Sequence, residues 1–415
     1  HTDIYGKRGE KYRWLKVNDV SRVGFQKITP KSSFYFFIPR PISEIEHYKK
    51  WPQIKDIFPI NGVGMTTARD NFVIDIDRSV LLNRILTFRN SELDDNGLHQ
   101  AFNIRVKKGW SIREAWDQLQ NIDESEIPDL IKRVLYRPFD VRYIFYHDSV
   151  VWRTAKHIMH NLLENNIALS SVRQVKAGET WQHSLITNAI VESSFISNRT
   201  SEIGYAFPLY IYQNQDQISL FNQQQKIREP NIVASFNELL ANIYQASPTP
   251  EEILFYIYSI FYSLKYRKKY FEFLKIDFPR VPFVSNFNLF MKLADYGRNL
   301  VDLHLLQGTE LIHPTVKFMG QGNNLVIRQR RYEELTHKLF INNDFYFEGV
   351  LPEVWKFQIG CYQVMDKYLK DRKGRRMDDP RHYIHIATAI EKTIEIQKEI
   401  DTIYPEVEKV LIEFT

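Results

Sequence analysis

A single cysteine, Cys361, occurs in 415 residues. No intramolecular disulfide and no cysteine-based zinc cluster can therefore form, which favours a reducing, cytoplasmic setting. Pro-Pro is absent, and with it the Asp/Asn/Ser-Pro-Pro-aromatic motif by which amino-methyltransferases hold the exocyclic nitrogen of a flipped base. Long apolar runs are absent too. The longest, Ile253–Leu264, carries Tyr256, Tyr258, Ser259 and Tyr262 and falls far short of the ~20 residues of a membrane helix. No signal peptide is legible, so a membrane is not an expected partner. No Walker sequence occurs. Neither Gly62/Gly64 nor Gly320/Gly322 continues into a dinucleotide fingerprint, because Thr67 and Leu325 stand where the third glycine belongs. HExxH and Gly-x-Ser-x-Gly are also missing. The chain offers no catalytic residue and no metal-ligand set, and it calls for no cofactor of its own. It begins at His1 rather than Met and reads as a piece of something longer.

Hydrophobic residues make up 44% and charged residues 25%, the profile of a folded globular chain rather than a disordered one. The length predicts two or three domains. A formal charge of +5 is too small to argue for nucleic acid by itself. Its distribution says more. Residues 131–200 hold nine Lys/Arg against five Asp/Glu, whereas residues 201–260 hold two against six. Such segregation is what one basic face would produce.

Periodicity predicts a mixed α/β (α+β) chain with a mixed-sheet N-terminal half and a more helical C-terminal half. Residues 1–60 read as a junction. Residues 61–212 read as mixed α/β, with strands at Phe72–Asp77, Val141–Tyr146, Ile167–Val175, Leu185–Val191 and Tyr205–Tyr212. Helices are expected from Asp77 to about Phe88, from Ser111 to about Leu119, and over Ile127–Val134 and Thr154–Leu163. An aromatic run, Ser33–Ile38, is strand-like. The Gln/Asn-rich stretch within 213–248 reads as a connection. Residues 249–415 read as helical, with Glu251–Leu264, Arg267–Leu274, Phe287–Leu306, Trp355–Lys370 and Tyr383–Ile403 as helices and a β-containing insert at about 307–347.

Two weak constellations remain. Asp75 and Asp77 alternate on a strand and share a face, as a metal-dependent nuclease pair would. The favoured reading is instead a strand-end acid followed by a helix cap. His157/His160 and His382/His385 are spaced i, i+3, but no third metal ligand accompanies either pair.

Longer strings carry more. Tyr136–Arg142 (YRPFDVR), Arg199–Tyr210 (RTSEIGYAFPLY), Tyr270–Pro282 (YFEFLKIDFPRVP), Ile359–Val364 (IGCYQV) and Lys370–Arg375 (KDRKGR) stand in that order. Together they resemble the C-terminal specificity region of type ISP restriction-modification enzymes and related adenine-specific DNA methyltransferases. Ile4–Tyr12 resembles the stretch just downstream of that family's methyltransferase core. The resemblance implies a target recognition domain. Its partners would be double-stranded DNA and the methyltransferase domain of the same polypeptide, which would carry the S-adenosylmethionine.

On that reading Lys and Arg hold phosphates and set register, while base edges give specificity. We assign phosphates to Arg69, Arg153, Lys156, His157 and Arg331. Arg69 follows the Asn61–Thr67 glycine loop, and Arg153, Lys156 and His157 share a helical turn. Base reading is assigned to the loop Arg173, Gln174, Lys176, Trp181, Gln182 and His183, to Asn198 and Arg199, and to Asn323, Arg328 and Arg330. Arg328 and Arg330 alternate on one strand face. Arg372–Arg376 reads as a solvated basic turn or a distal phosphate clamp. A metal-dependent nuclease and a coupling module that does not touch DNA are the alternatives.

Overall fold

The computed structural model describes residues 1–4, 6–30, 42–105, 108–176, 178, 180–199, 202–212 and 228–414. The aromatic run Ser33–Ile38 and residues 213–227 of the Gln/Asn-rich connection lie outside them. Contacts divide the chain into two compact units, His1–Lys50 and Trp51–Phe414. The first holds the helices Arg8–Val17 and Ile42–Lys50. The second contains both halves named from the sequence, and their elements pack directly on one another.

Its strands are short: Gly62–Val63 (β1), Ile74–Asp75 (β2), Ile131–Arg137 (β3), Asp140–Phe145 (β4), Ala168–Val172 (β5), Ser184–Thr187 (β6), Ile190–Val191 (β7) and Gly204–Pro208 (β8). Next come Tyr210–Tyr212 (β9), Arg228–Pro230 (β10), Lys317–Gly320 (β11), Arg331–Glu333 (β12), Lys338–Phe340 (β13), Phe345–Glu348 (β14), Gln358–Ile359 (β15) and Tyr362–Gln363 (β16). Three four-stranded sheets result, in the orders β1-β8-β5-β6, β2-β4-β3-β7 and β11-β14-β13-β12. The first and third are antiparallel throughout, and β3–β7 is the parallel pair of the second. The mixed α+β expectation holds, and the strands of the third sheet lie within residues 317–348.

The helices follow their caps. Asp77 accepts the Ser79 and Val80 amides and starts Arg78–Arg89, which buries Leu81, Ile85 and Phe88 on one face. Thr249 and Glu252 form a capping box at Pro250–Tyr262, and Pro250 occupies the first turn. This helix is apolar nearly all round and buried accordingly. Its tyrosines reach partners: Tyr256 Oη donates to the Pro282 carbonyl at 2.5 Å and Tyr262 Oη to the Ser184 carbonyl at 3.1 Å. Phe287–His304 crosses it at Gly297, where a Cβ would collide with the Phe255 carbonyl. Only glycine permits that approach. Pro380–Val407, capped by Asp379, closes the core. Among the described residues no helix is long and apolar enough to cross a membrane.

Several boundaries differ from expectation. Ile127–Val134 is not a helix. A 3-10 turn, Glu124–Leu130, contains Pro128, and β3 begins at Ile131 by pairing with Phe145. Pro128 removes an amide donor, and the β-branched residues that follow suit a sheet. Thr154–Leu163 shrinks to Lys156–Met159 plus a 3-10 turn, because Ala155 sits at φ 51°. Leu185–Val191 splits between two sheets. Trp355–Lys370 breaks into Pro352–Lys356, the β15–β16 hairpin and Val364–Asp371.

One ion network ties distant parts of this unit together. Buried Asp140 accepts from Arg142 Nη2 at 2.6 Å and from Arg372 Nη2 at 2.6 Å, and Arg142 also reaches Asp371 at 3.0 Å. Burial raises the Asp140 carboxyl, but the two guanidiniums outweigh it and bring it down to about 2. Arg375 pairs with Asp75 at 3.3 Å. The expected solvated basic turn at 372–376 is thus anchored at two points, and Arg372 is buried. Replacing Asp140 by Ala leaves the buried Arg372 without its carboxylate and Arg142 with Asp371 alone. We expect a loss of about 3–5 kcal/mol, read from urea unfolding of the whole chain; a change below about 1 kcal/mol would contradict this role.

Candidate nucleic-acid interface

The registers of the first sheet decide where its loops emerge. Val63 pairs with Tyr205, Val172 with Gly204, and Ser171 with Ser184. The end of β1, the start of β8, the end of β5 and the start of β6 therefore share one edge. Three loops leave from it: Gly64–Arg69, Arg173–His183 and Ser197–Glu202. A fourth segment joins them. Thr66 forms a bridge with Arg153, and the Arg153 amide donates to the Thr66 carbonyl at 2.9 Å. A fifth arrives from the far end of the chain, since the Gly360 amide donates to the Gln182 carbonyl at 2.7 Å and the Cys361 amide to the Ile196 carbonyl at 3.2 Å. Gly360 has φ 59°, and a Cβ there would strike the Ile196 carbonyl.

Glu202 organises these loops from beneath. Its carboxylate accepts the Lys176 amide at 3.0 Å and the Ser197 hydroxyl at 2.7 Å, and it stands 3.3 Å from His183 Nε2. Burial raises this carboxyl, yet His183, Ser197 and the Lys176 amide together bring it down to about 2. Burial, partly offset by Glu202, lowers His183. What remains at the surface is cationic and polar: Arg153, Lys156, His157, Arg173, Lys176, Asn198 and Arg199 are exposed, and Gln174 and Gln182 half-buried.

The sequence matches the Type ISP C-terminal specificity domain over residues 56–399. The chain belongs to this family. No curated protein matches it. Solved structures share the fold of this specificity domain. One is a DrdV–DNA complex (TM-score 0.71, 19% identity, 94% of this chain and 42% of that chain). Another is a nuclease-deletion mutant of the Type ISP restriction-modification enzyme LlaGI with a DNA substrate mimic (0.66, 17%, 95% and 32%). A third is the ATP-dependent Type ISP enzyme LlaBIII bound to DNA (0.68, 16%, 92% and 26%). The chain spans less than half of each of those proteins.

The family strings turn out to be largely architectural. Tyr136–Arg142 and Lys370–Arg375 meet in the Asp140 network. Arg137 pairs with Glu192 at 3.0 Å, beside the edge where β3 and β7 run parallel. In Tyr270–Pro282, Arg280 Nη1 donates to the Trp51 carbonyl at 2.5 Å and the Val281 amide to the Pro52 carbonyl at 2.9 Å. Ile359–Val364 carries the Gly360 approach.

Four assigned contacts of the specificity domain need correction. Trp181 is wholly buried, edge-on to Phe261 at 5.6 Å, so it cannot stack on a base. His183 is buried over Glu202 and positions the loop instead. Arg69 is buried with its guanidinium 3.6 Å from the Trp110 ring and Nη1 donating to the Val150 carbonyl at 2.9 Å. The turn at Ala68 (φ 60°) directs it inward, away from any phosphate. Arg330 is half-buried against Asp366 at 2.6 Å, and the strand begins only at Arg331, so Arg328 and Arg330 do not share a strand face.

Other assignments are placed differently from one another. Arg153 lies before the short helix, outside the turn that carries Lys156 and His157. Lys156 pairs with Asp148, and Arg173 with Asp277 at 3.1 Å, both at the surface, where such pairs contribute little. Asn323, Arg328 and Arg331 sit on or beside the separate β11–β14 sheet. Arg331 pairs with Glu333 there, and Arg328 is exposed. Sequence reasoning missed Glu202, whose partners lie at several separations, and it missed exposed Trp152 beside Arg153.

The acidic pair is occupied. Asp75 is buried against Arg84 and Arg375, and Asp77 caps a helix. No group of three or more His, Cys, Asp or Glu able to hold a metal occurs among the described residues.

Glu202→Gln should destabilise the chain by about 1.5–3 kcal/mol near neutral pH, the worth of hydrogen bonds to a charged group. The carboxyl is held below its ordinary 4.5, at about 2. Its contribution is therefore complete above about pH 4.5 and is lost as the pH falls toward 2. Urea unfolding of both proteins from pH 6 downward should show the gap narrowing below pH 4.5; a gap independent of pH would contradict the charge role.

Proposed function

We propose that this specificity domain reads a short sequence in duplex DNA on behalf of a restriction-modification enzyme that methylates adenine at N6. The DNA-bound neighbours and the family support this reading. The observation that carries it is the gathering of loops at one edge of the β1-β8-β5-β6 sheet, with cations and amides outward and their supports buried. On this reading the methyltransferase domain and its S-adenosylmethionine belong to the remainder of the polypeptide, and the setting is the cytoplasm.

The roles divide by chemistry. Arg153, Lys156 and His157 lie beside the Thr66 bridge and are assigned to phosphates. The ion pair of Lys156 with Asp148 exchanges readily for a phosphate, because both partners are solvated. Lys176, Gln182, Asn198 and Arg199, with Arg173 and Gln174 flanking, are assigned to base edges. Arg and Lys suit guanine O6/N7, while Asn and Gln suit adenine N6/N7. Preorganisation favours such readout, since loops held by Glu202 and Gly360 lose less freedom on binding. Asn323 and Arg328, assigned to base edges, and Arg331, assigned to a phosphate, would form a second, separate contact with the duplex. Extruding the target adenine costs about a few kcal/mol, which contacts over a wide surface must offset.

Two substitutions separate the roles. Arg153→Ala should weaken binding to all duplexes alike and reduce the slope of log K against log salt by about 1. Gln182→Ala should cost about 1–3 kcal/mol against the preferred site and relax discrimination at one base pair. Fluorescence anisotropy with the preferred and singly substituted duplexes reads both. Equal, sequence-blind losses from the two variants would refute the division.

A further inference from the structure

A second concave site borders the recognition loop at Gln182, and the rest of its lining has no role in the account above. Thr180, Trp181 and Gln182 form one wall, and Leu264, Arg267, Lys268 and Phe271 a second. Lys356, Phe357 and Gln358 form a third, and Gln397 completes the lining of a half-open cleft of about 960 Å³. That volume lies within the range of small-molecule sites, about 300–1,000 Å³.

Its chemistry is unusual at the floor. Arg267 is buried, with 7% of its surface exposed. Its Nε donates to the Phe261 carbonyl, and its guanidinium lies 4.5 Å from the Tyr262 ring and 5.8 Å from the Trp181 ring. Among the described residues no carboxylate stands within ion-pair distance of it. A buried cation with no directly paired acid is costly; burial pulls its pKa down, and the charge of Asp401 offsets this only in part. The Trp181 indole N–H is likewise buried without a partner among the described residues. At the rim, Lys268 is exposed, and Lys356 pairs with Glu334 at 3.0 Å between two exposed side chains. Phe271 and Phe357 supply flat apolar walls, and Gln182 and Gln358 supply amides that both donate and accept. Cation at the floor, cations at the rim, aromatic walls and amides together match a planar heterocycle carrying an anion. Stacking on aromatic side chains and charge-assisted contacts to phosphate are the forces that hold such a group.

We propose that this cleft binds one nucleoside monophosphate unit, its base between the Phe271 and Phe357 walls and its phosphate toward Arg267 and Lys268. The unit comes either from a free nucleotide or from a single strand entering the cleft. The cleft shares Gln182 with the proposed base-reading set, and its other lining residues have no part in the duplex contacts assigned above.

The test uses the whole chain and two probes at low salt, 2′-deoxyadenosine 5′-monophosphate and a single-stranded hexadeoxyadenylate, each titrated calorimetrically. Wild type is compared with Lys268→Glu and Phe271→Ala, both at the rim, so that neither removes a buried group. Arg267→Met, checked for folding by circular dichroism, is the third variant. Saturable one-to-one binding of the mononucleotide, weakened about tenfold or more by Lys268→Glu and Phe271→Ala, supports the proposal with a free nucleotide as the source. Binding of the hexamer alone, with the same loss in the variants, supports it with a strand as the source. Absence of binding by both probes, or binding that the rim variants leave unchanged, overturns it. Duplex anisotropy on the same preparations keeps the two functions distinguishable: intact duplex binding with no nucleotide binding removes this proposal alone.

Discussion

Asp140 is the point on which the specificity domain turns. It sits at the tip of a hairpin, buried, between Arg142 of the same hairpin and Arg372 from the other end of the domain. A lone carboxylate could not remain charged there. Two guanidiniums hold it ionised, and in doing so they fix the C-terminal segment against the β2-β4-β3-β7 sheet. Arg137, three residues earlier, pairs with Glu192 where the chain passes from that sheet toward the first. The two sheets are therefore locked in place by neighbouring ion pairs, and the edge from which the recognition loops leave inherits that rigidity.

The loops themselves follow a similar logic on a smaller scale. Each carries surface groups that a ligand could use, and each is held below by something that a ligand never meets. Glu202 joins two of the segments, Arg173–His183 and Ser197–Glu202, through one carboxylate, and Gly360 lets a distant hairpin approach the Gln182 loop. A domain that discriminates between sequences needs its donors and acceptors fixed before contact, because a mobile reader spends binding energy on ordering itself. The buried polar groups beneath this edge serve that need.

Much of this was legible in the residues, unevenly. Helices with strong caps and one-sided or all-round apolar patterns, such as Arg78–Arg89 and Pro250–Tyr262, were readable because caps and periodicity are local. The strand β3 was misread because Ile127–Val134 keeps helical spacing, while its pairing with Phe145 is a tertiary fact. The mixed class and the family were legible from composition, alternation and long strings. The site was legible only in part. Loop polarity pointed to Arg173–His183, yet Trp181 and His183 look no different in sequence from their exposed neighbours. Their burial depends on Phe261 and Glu202, which lie 80 and 19 residues away along the chain. Arg69 misleads for the same reason: Trp110 and the Val150 carbonyl, not any local signal, draw it inward.

The central claim is that this surface discriminates between DNA sequences. The most direct measurement incubates the purified chain with a random duplex pool at low salt and sequences the fraction that stays bound. The account predicts enrichment of one motif several base pairs long, lost when Gln182 and Lys176 are both replaced by Ala. Retention of DNA without any enriched motif, even after the proposed methyltransferase domain is supplied, would contradict it.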